Sequence, residues 1–232
     1  MCNQAGIEFM KQTISRQDIQ GREILEIGSR IVNASIRPVL TSLGPASYTG
    51  IDIGPGPGVD VVCRAEDVNK RFGDERFDCV IATEVLEHIE NWQTAIHAMK
   101  LVLKIGGIML ITTRSRGFDY HGYPHDFWRF ERGDMEAIFS DFTIQHLEED
   151  QSCPGIFLKA HKPERFVEND TRRHRLYSVA SRRFIDHVGI TERILVVTWF
   201  PVILLMKKIV HPLVPPVMRR WLRANILSRI PS

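Results

Sequence analysis

Between residues 23 and 162, short apolar runs alternate with stretches of helical periodicity, and this alternation limits the chain to few architectures. "EILEIG" (23–28), "YTGIDI" (48–53), "VDVVC" (59–63), "FDCVIAT" (77–83) and "IMLITT" (108–113) read as buried strands. Between them, "IVNASIRPVLTSL" has a helical pattern, although Pro38 suits a helix interior poorly. A short helical segment covers 66–72, and "NWQTAIHAMKLVLK" (91–104) is an amphipathic helix stopped by Gly106-Gly107. "ERGDMEAIFS" reads as a further helix, and "FTIQHLEE" and "GIFLKAHK" as two closing strands. Strands alternating with helices require a mostly parallel sheet covered on both faces. The closing pair has no helix between its members, so it is expected as an antiparallel hairpin at one edge. The expected class is α/β: a seven-stranded, mostly parallel sheet with an antiparallel terminal hairpin and a helical C-terminal extension. The expected division is an N-terminal helical segment (1–21), a central domain (22–163) and the extension (164–232).

The net charge of +2 conceals an asymmetry. Residues 1–163 hold 17 Lys+Arg against 23 Asp+Glu, whereas residues 164–232 hold 13 against 5. An acidic body therefore carries a basic tail. In that tail "RRHRLYSVASRRF" reads as helical, and "ILVVTWFPVILLM" (194–206) is an uncharged run of 13 residues. A bilayer span needs about 20 apolar residues, and Pro201, Pro212, Pro215 and Pro216 interrupt any longer helix. An apolar run with flanking Lys and Arg, and with Trp199 and Trp221, suits a segment lying in a membrane interface. Packing on the sheet or on a second subunit, as a homodimer, is the alternative. Nucleic acid is disfavoured as a partner because no RNA-binding module accompanies the charge. Cys2, Cys63, Cys79 and Cys153 are scattered and no signal segment opens the chain. The expected location is the cytoplasm, at the inner face of the membrane if the tail binds lipid.

In a sheet of this kind, ligands bind beyond the carboxyl ends of the strands, where strand order switches. The first strand ends in Glu26, Gly28, Ser29 and Arg30, and Gly28 allows close backbone approach. The second ends in Asp52, placed to accept hydrogen bonds from both hydroxyls of a ribose. "GPGPG" after it reads as a connector. The fourth ends in "ATEVLEH" (82–88), with Glu84, Glu87 and His88 around a helix start, where carboxylates are favoured.

Together "ILEIGSR", "YTGIDIGPGPGVDVV", "FDCVIATEVLEHIENW", "LKIGGIMLITT" and "DFTIQHLEED…GIFLKAHKP" resemble the class I S-adenosylmethionine-dependent methyltransferases over about residues 22–163. The resemblance is to the branch associated with small-molecule, sugar or lipid methylation. It implies a Rossmann-like fold, S-adenosyl-L-methionine as cofactor, and a small-molecule, sugar or lipid-linked acceptor methylated at oxygen. It further implies that Glu26 and Gly28 line the methionine portion and that Asp52 holds the ribose. Ala65 would present backbone to the adenine, with Glu66 or Asp67 near its amino group. Thr83 and Glu84 would face the methionine end. Arg30 stands where glycine is common in the family, and Arg64 where an acid is frequent. A nicotinamide-dependent oxidoreductase would share the acid at Asp52, but it should show G-x-G-x-x-G after the first strand, and this chain does not. A non-catalytic membrane-associated scaffold with the same fold is the remaining alternative.

"HGYPHDFWRF" (121–130) follows the fifth strand and looks like that branch's loop. His125 and His121 are candidate bases or substrate hydrogen-bonders, Asp126 could orient a histidine, and Arg129 could hold an anionic group. Tyr123, Phe127 and Trp128 could cover the reacting centre. No metal is expected: Gly122 and Pro124 oppose helical presentation of the two histidines, and no third ligand is evident. The alternative is that Phe127, Trp128 and Phe130 are core and His125 caps the next helix. As a unit, the loop reads as an active-site lid.

Overall fold

The structure is a computed structural model that describes residues 4–122, 124–199 and 202. The strands are β1 (Glu23–Ile27), β2 (Ser47–Asp52), β3 (Val61–Val62), β4 (Phe77–Thr83), β5 (Leu103–Arg114), β6 (Trp128–Arg129), β7 (Thr143–Glu149), β8 (Gly155–His161), β9 (Leu176–Ser178) and β10 (Phe184–Ile185). Seven of them form one sheet in the order β3-β2-β1-β4-β5-β8-β7. β1 pairs in parallel with β2 on one side and β4 on the other, while β8 runs antiparallel to both β5 and β7. The sheet is thus the expected one, with its hairpin at an edge. β7 leaves all but Ile144 and Leu147 exposed, as a solvated edge strand does.

The helices are α1 (Gln4–Thr13), α2 (Arg16–Ile19), α3 (Arg37–Thr41), α4 (Val68–Phe72), α5 (Trp92–Val102), α6 (Arg132–Ile138) and α7 (Ile190–Ile194). Successive strand residues face opposite sides, so neighbours enter different cores. Ile24, Ile81 and Leu110 pack with Phe9, Met10, Ile19 and Leu40 from α1, α2 and α3. Leu25, Val80 and Met109 pack with Trp92, Ile96 and Met99 of α5 on the other face. Lys159 of β8 fastens the N-terminal helices, its Nζ donating to the Thr13 carbonyl at 2.6 Å and to Asp18 at 3.0 Å.

Three expectations need correction. The helical pattern before the second strand yields only α3, with Pro38 in its first turn, where the missing N–H costs nothing. Gly106 and Gly107 do not follow the helix directly, because α5 ends at Val102 and both glycines lie inside β5. The basic stretch "RRHRLYSVASRRF" is not helical. Leu176 and Ser178 point inward with period two, and β9 pairs with β6 and β10 in a small antiparallel sheet. Leu176, Val179 and Val196 join the same core as α5, so this segment is anchored on the central domain at those residues. Apart from Val202, the rest of the tail, including most of the second half of the uncharged run and Trp221, lies outside the described residues. Among the described residues, no helix is long and apolar enough to cross a membrane.

Candidate active site

A cavity of about 580 Å³ opens beyond the carboxyl ends of β1, β2 and β4. β1 has its successor β2 on one side and β4 on the other, so this is where the strand order reverses. The volume is in the range of small-molecule and cofactor pockets. Gly28, Asp52, Ala65, Glu66, Glu84 and His125 all contribute to its wall.

Gly28 holds φ +73°, and a Cβ there would lie 2.8 Å from both Cβ and Cγ2 of Val85. The chain after β1 is fixed by Ser29 N–H donating to the Ile51 carbonyl at 2.9 Å and Ile31 N–H to that of Pro57 at 2.8 Å. The "GPGPG" connector is therefore packed against the β1 loop, and Gly58 at φ +87° allows the approach. Asp52 is half-buried at the end of β2, and its Oδ1 accepts the Gly54 N–H at 3.2 Å. On the far side, the turn Ala65–Asp67 brings Ala65 and Glu66 to the wall. Glu66 pairs with Arg64 at 2.6 Å, whereas Asp67 is absent from the cavity wall and paired with Lys70 at 2.8 Å. Of the two acids considered for the adenine side, Glu66 is the one at the cavity.

Glu26 and Thr83 are buried and lie behind the cavity wall rather than in it. Glu26 accepts the Tyr48 hydroxyl proton at 2.9 Å, and burial raises the pKa of both groups. Glu84 reaches the wall in a left-handed conformation, φ +51°, which a non-glycine residue holds only at an energetic cost. Burial, then the neighbouring Glu87, pushes its carboxyl up to about 7, while Arg114 pairs with it from behind.

The loop after β5 divides its residues. His125 lines the cavity, and its buried Nδ1 has no hydrogen-bond partner. His88, which the sequence reading left without a role, stands beside it in the wall and donates Nδ1–H to the His125 carbonyl. Val85, Ile89 and Phe127 supply apolar wall. Trp128 is fully buried, its Nε1–H donating to the carbonyl of Ile89 at 3.1 Å. Arg129 is buried against Asp126 and the carbonyls of Phe118 and Asp119, so neither Trp128 nor Arg129 reaches the main cavity. His121 Nδ1 binds Asp126 at 2.9 Å, and its Nε2 stands 3.6 Å from Glu87 Oε1. Burial opposes the charged form of His121, but Asp126 and Glu87 outweigh it and raise the pKa to about 9. Burial likewise opposes ionised Asp126, yet Arg129 and His121 hold its carboxyl well below the usual range. His121 and Asp126 thus form a buried network behind the wall. Tyr123 lies outside the described residues.

A family model described as a methyltransferase domain matches residues 5–151. The chain is 30% identical over 113 residues to a probable phthiotriol/phenolphthiotriol dimycocerosates methyltransferase 2 of Mycobacterium ulcerans, covering 44% of this chain and 43% of that protein. It is 30% identical over 115 residues to the ubiquinone biosynthesis O-methyltransferase of Pseudomonas syringae, covering 44% and 48%. The chain thus spans under half the length of these curated relatives. Among solved structures, the Burkholderia thailandensis 1,6-didemethyltoxoflavin-N1-methyltransferase with bound S-adenosylhomocysteine superposes with a TM-score of 0.52 at 13% identity, over 69% of this chain and 77% of that one. A Listeria monocytogenes protein described as a putative S-adenosylmethionine-dependent methyltransferase gives 0.52 at 12% identity, over 69% and 99%. These structural likenesses establish the fold, and the family match covers most of the chain. The chain belongs to the class I S-adenosylmethionine-dependent methyltransferases.

Proposed function

We propose that the chain transfers a methyl group from S-adenosylmethionine to a hydroxyl oxygen of a small-molecule or lipid-linked acceptor, with His125 receiving the hydroxyl proton. The residues present fit the cofactor: a glycine cradle that a Cβ would fill, a carboxylate at the end of β2, and an acid beside Ala65. The cofactor supplies a sulfonium methyl, so the C–S bond breaks toward a neutral thioether as the C–O bond forms. The chain itself must hold both reactants in line and exclude water. Asp52 would hold the ribose hydroxyls, Gly28 would admit close backbone approach, and Glu66 would meet the adenine amino group. Val85, Ile89 and Phe127 give the wall an apolar lining that keeps water away.

The observation that carries the reading is His125. His125 lines the same cavity as Gly28 and Asp52, and its buried Nδ1 has no hydrogen-bond partner, so a small turn of the ring would offer that nitrogen to an acceptor proton. Oxygen as the methylated atom is supported by the name of the ubiquinone-pathway relative. A lipid-linked acceptor is supported by the basic tail and by Ile190, Ile194, Val197 and Val202, which are all exposed. The test combines calorimetry with transfer from radiolabelled cofactor to a panel of hydroxylated and lipid-linked acceptors. Asp52→Ala should weaken cofactor binding by about 1.5–3 kcal/mol. His125→Ala should leave that affinity within about twofold and lower transfer by about 10²-fold or more. Transfer undiminished in His125→Ala would remove the proposed base.

A further inference from the structure

Beside the cavity wall at His88, three potential metal ligands converge from two separate segments. Glu87 and His88 follow β4, and His121 opens the loop after β5. The ligand atoms they offer lie within 4.8 Å of one another. We propose that Glu87, His88 and His121 bind a divalent transition-metal ion, zinc or a close relative, through one carboxylate oxygen and two imidazole nitrogens.

Two kinds of observation point to a ligand. Glu87 Oε1 and His121 Nε2 are buried and face each other as an ion pair at 3.6 Å, beyond hydrogen-bond distance, and neither makes a hydrogen bond. Buried polar atoms are nearly always hydrogen-bonded, so a facing pair that falls short of hydrogen-bond distance leaves a gap that a bridging ion would fill. Each remaining ligand position is also prepared. Thr113 Oγ1 donates to the other Glu87 oxygen at 2.9 Å, which fixes the carboxylate and leaves Oε1 outward. His121 Nδ1 donates to Asp126, which Arg129 clamps in turn. His88 Nδ1 donates to a backbone carbonyl. A carbonyl or carboxylate can only accept, so both histidines carry their proton on Nδ1 in the neutral form and present Nε2 as a lone pair. A metal-bound histidine is oriented in just this way, its second nitrogen donating to carboxylate or carbonyl.

The spacing is close to what the ion needs. Zinc–nitrogen bonds of about 2.0–2.1 Å place tetrahedral ligand atoms about 3.3–3.4 Å apart. The Glu87–His121 separation of 3.6 Å is already near that value, and small rotations of the rings would close the rest. The His₂-carboxylate set suits zinc and neighbouring first-row ions and is poor for magnesium or calcium, which prefer oxygen. Three protein ligands leave a fourth position open, as in sites where the ion meets a reactant. His88 belongs to both the cluster and the cavity wall, so the ion would adjoin the cavity.

The competing occupant of the gap is a proton on His121 Nε2, making an imidazolium between Glu87 and Asp126. The untagged full chain, stripped with chelator, is titrated with Zn²⁺ by calorimetry and with Co²⁺ by visible absorption. One ion per chain, with binding weakened by about 10-fold or more in Glu87→Gln and His88→Ala, supports the site. Nitrogen NMR of the wild-type imidazoles adds a readout that needs no variant: the His121 Nε2 signal should move on adding Zn²⁺. No saturable binding, or a doubly protonated His121 ring that Zn²⁺ leaves unmoved, overturns it. The metal titration is done without S-adenosylmethionine, so it stands or falls separately from the methyltransferase reading.

Discussion

Arg129 and Asp126 are joined by two parallel contacts, Nη1 to Oδ1 at 2.5 Å and Nη2 to Oδ2 at 2.8 Å, with both side chains buried. Because the pair is also tied to the Phe118 and Asp119 carbonyls, it fixes the path of the loop that carries His121 and His125. Removing one partner of such a pair leaves the other charge buried. Asp126→Ala should therefore lower unfolding free energy by about 3–5 kcal/mol, read from the urea midpoint. Adding Arg129→Met should recover much of that loss. If Asp126→Ala costs less than about 1 kcal/mol, solvent reaches Arg129 and the loop is held by something else.

Gly28 and Val85 make a second close relationship, since a Cβ on Gly28 would fall 2.8 Å from the branch point of Val85. Gly28→Ala adds this clash to a left-handed backbone, and should cost about 1–3 kcal/mol of stability together with at least tenfold in cofactor affinity. Val85→Ala in the same chain removes the Cγ contacts but leaves the Val85 Cβ at 2.8 Å and the φ +73° penalty, so rescue should be partial. Full rescue measured by calorimetry would show that neither the Cβ contact nor the backbone conformation contributes.

Gly28 and Asp52 were legible in the sequence because apolar runs announce strands, and ligands gather where such strands end. Their partners across the cavity were harder to see. His88 is one polar residue in "EVLEHIE", and only the fold shows that it shares a wall with His125. The loop "HGYPHDFWRF" resisted for a different reason. Trp128 and Arg129 have the composition of a binding site, yet an arginine satisfied by Asp126 and a tryptophan bonded to a carbonyl make an equally good buried anchor. Sequence spacing cannot tell these apart. Nor could it find β9 and β10, which are short and exist because β6 offers them an edge to pair with. The density of arginine around Leu176 suggested a helix face, but those charges sit largely in the flanking turns.

Asp18 gives a pH dependence whose direction can be worked out. Burial would raise its pKa, but the Ser15 backbone N–H and Lys159 outweigh this and hold it below the ordinary value. A depressed carboxylate stabilises the fold above the unfolded pKa, about 3.9, and that contribution disappears as pH falls through the lower folded value. Asp18 is partly exposed, so the contribution should be about 1 kcal/mol. Asp18→Asn should be less stable than wild type by that amount at pH 7, and the gap should shrink steadily below about pH 4. Parallel acid-unfolding curves would mean that Lys159 holds α1 and α2 through the Thr13 carbonyl alone.

The C-terminal segment leaves several apolar residues in water. Ile190 is 82% exposed, Ile194 50% and Val197 40%, at spacings of four and three residues, with Arg193 among them. A chain that leaves such residues in water gains by covering them, and the net basic charge of residues 164–232 favours an anionic lipid surface. Each Lys or Arg near the surface adds about 1 kcal/mol, and each buried aliphatic side chain at most about 1.5–3 kcal/mol. The two contributions respond differently. The full chain should float with anionic liposomes at low salt and release partly at high salt. Ile194→Asp with Val197→Asp should prevent flotation at any salt while leaving the thermal midpoint nearly unchanged, because both residues are already exposed. A wild-type chain that stays unbound at low salt, but elutes as a dimer that the same pair of substitutions dissociates, would assign this face to a second copy of the chain.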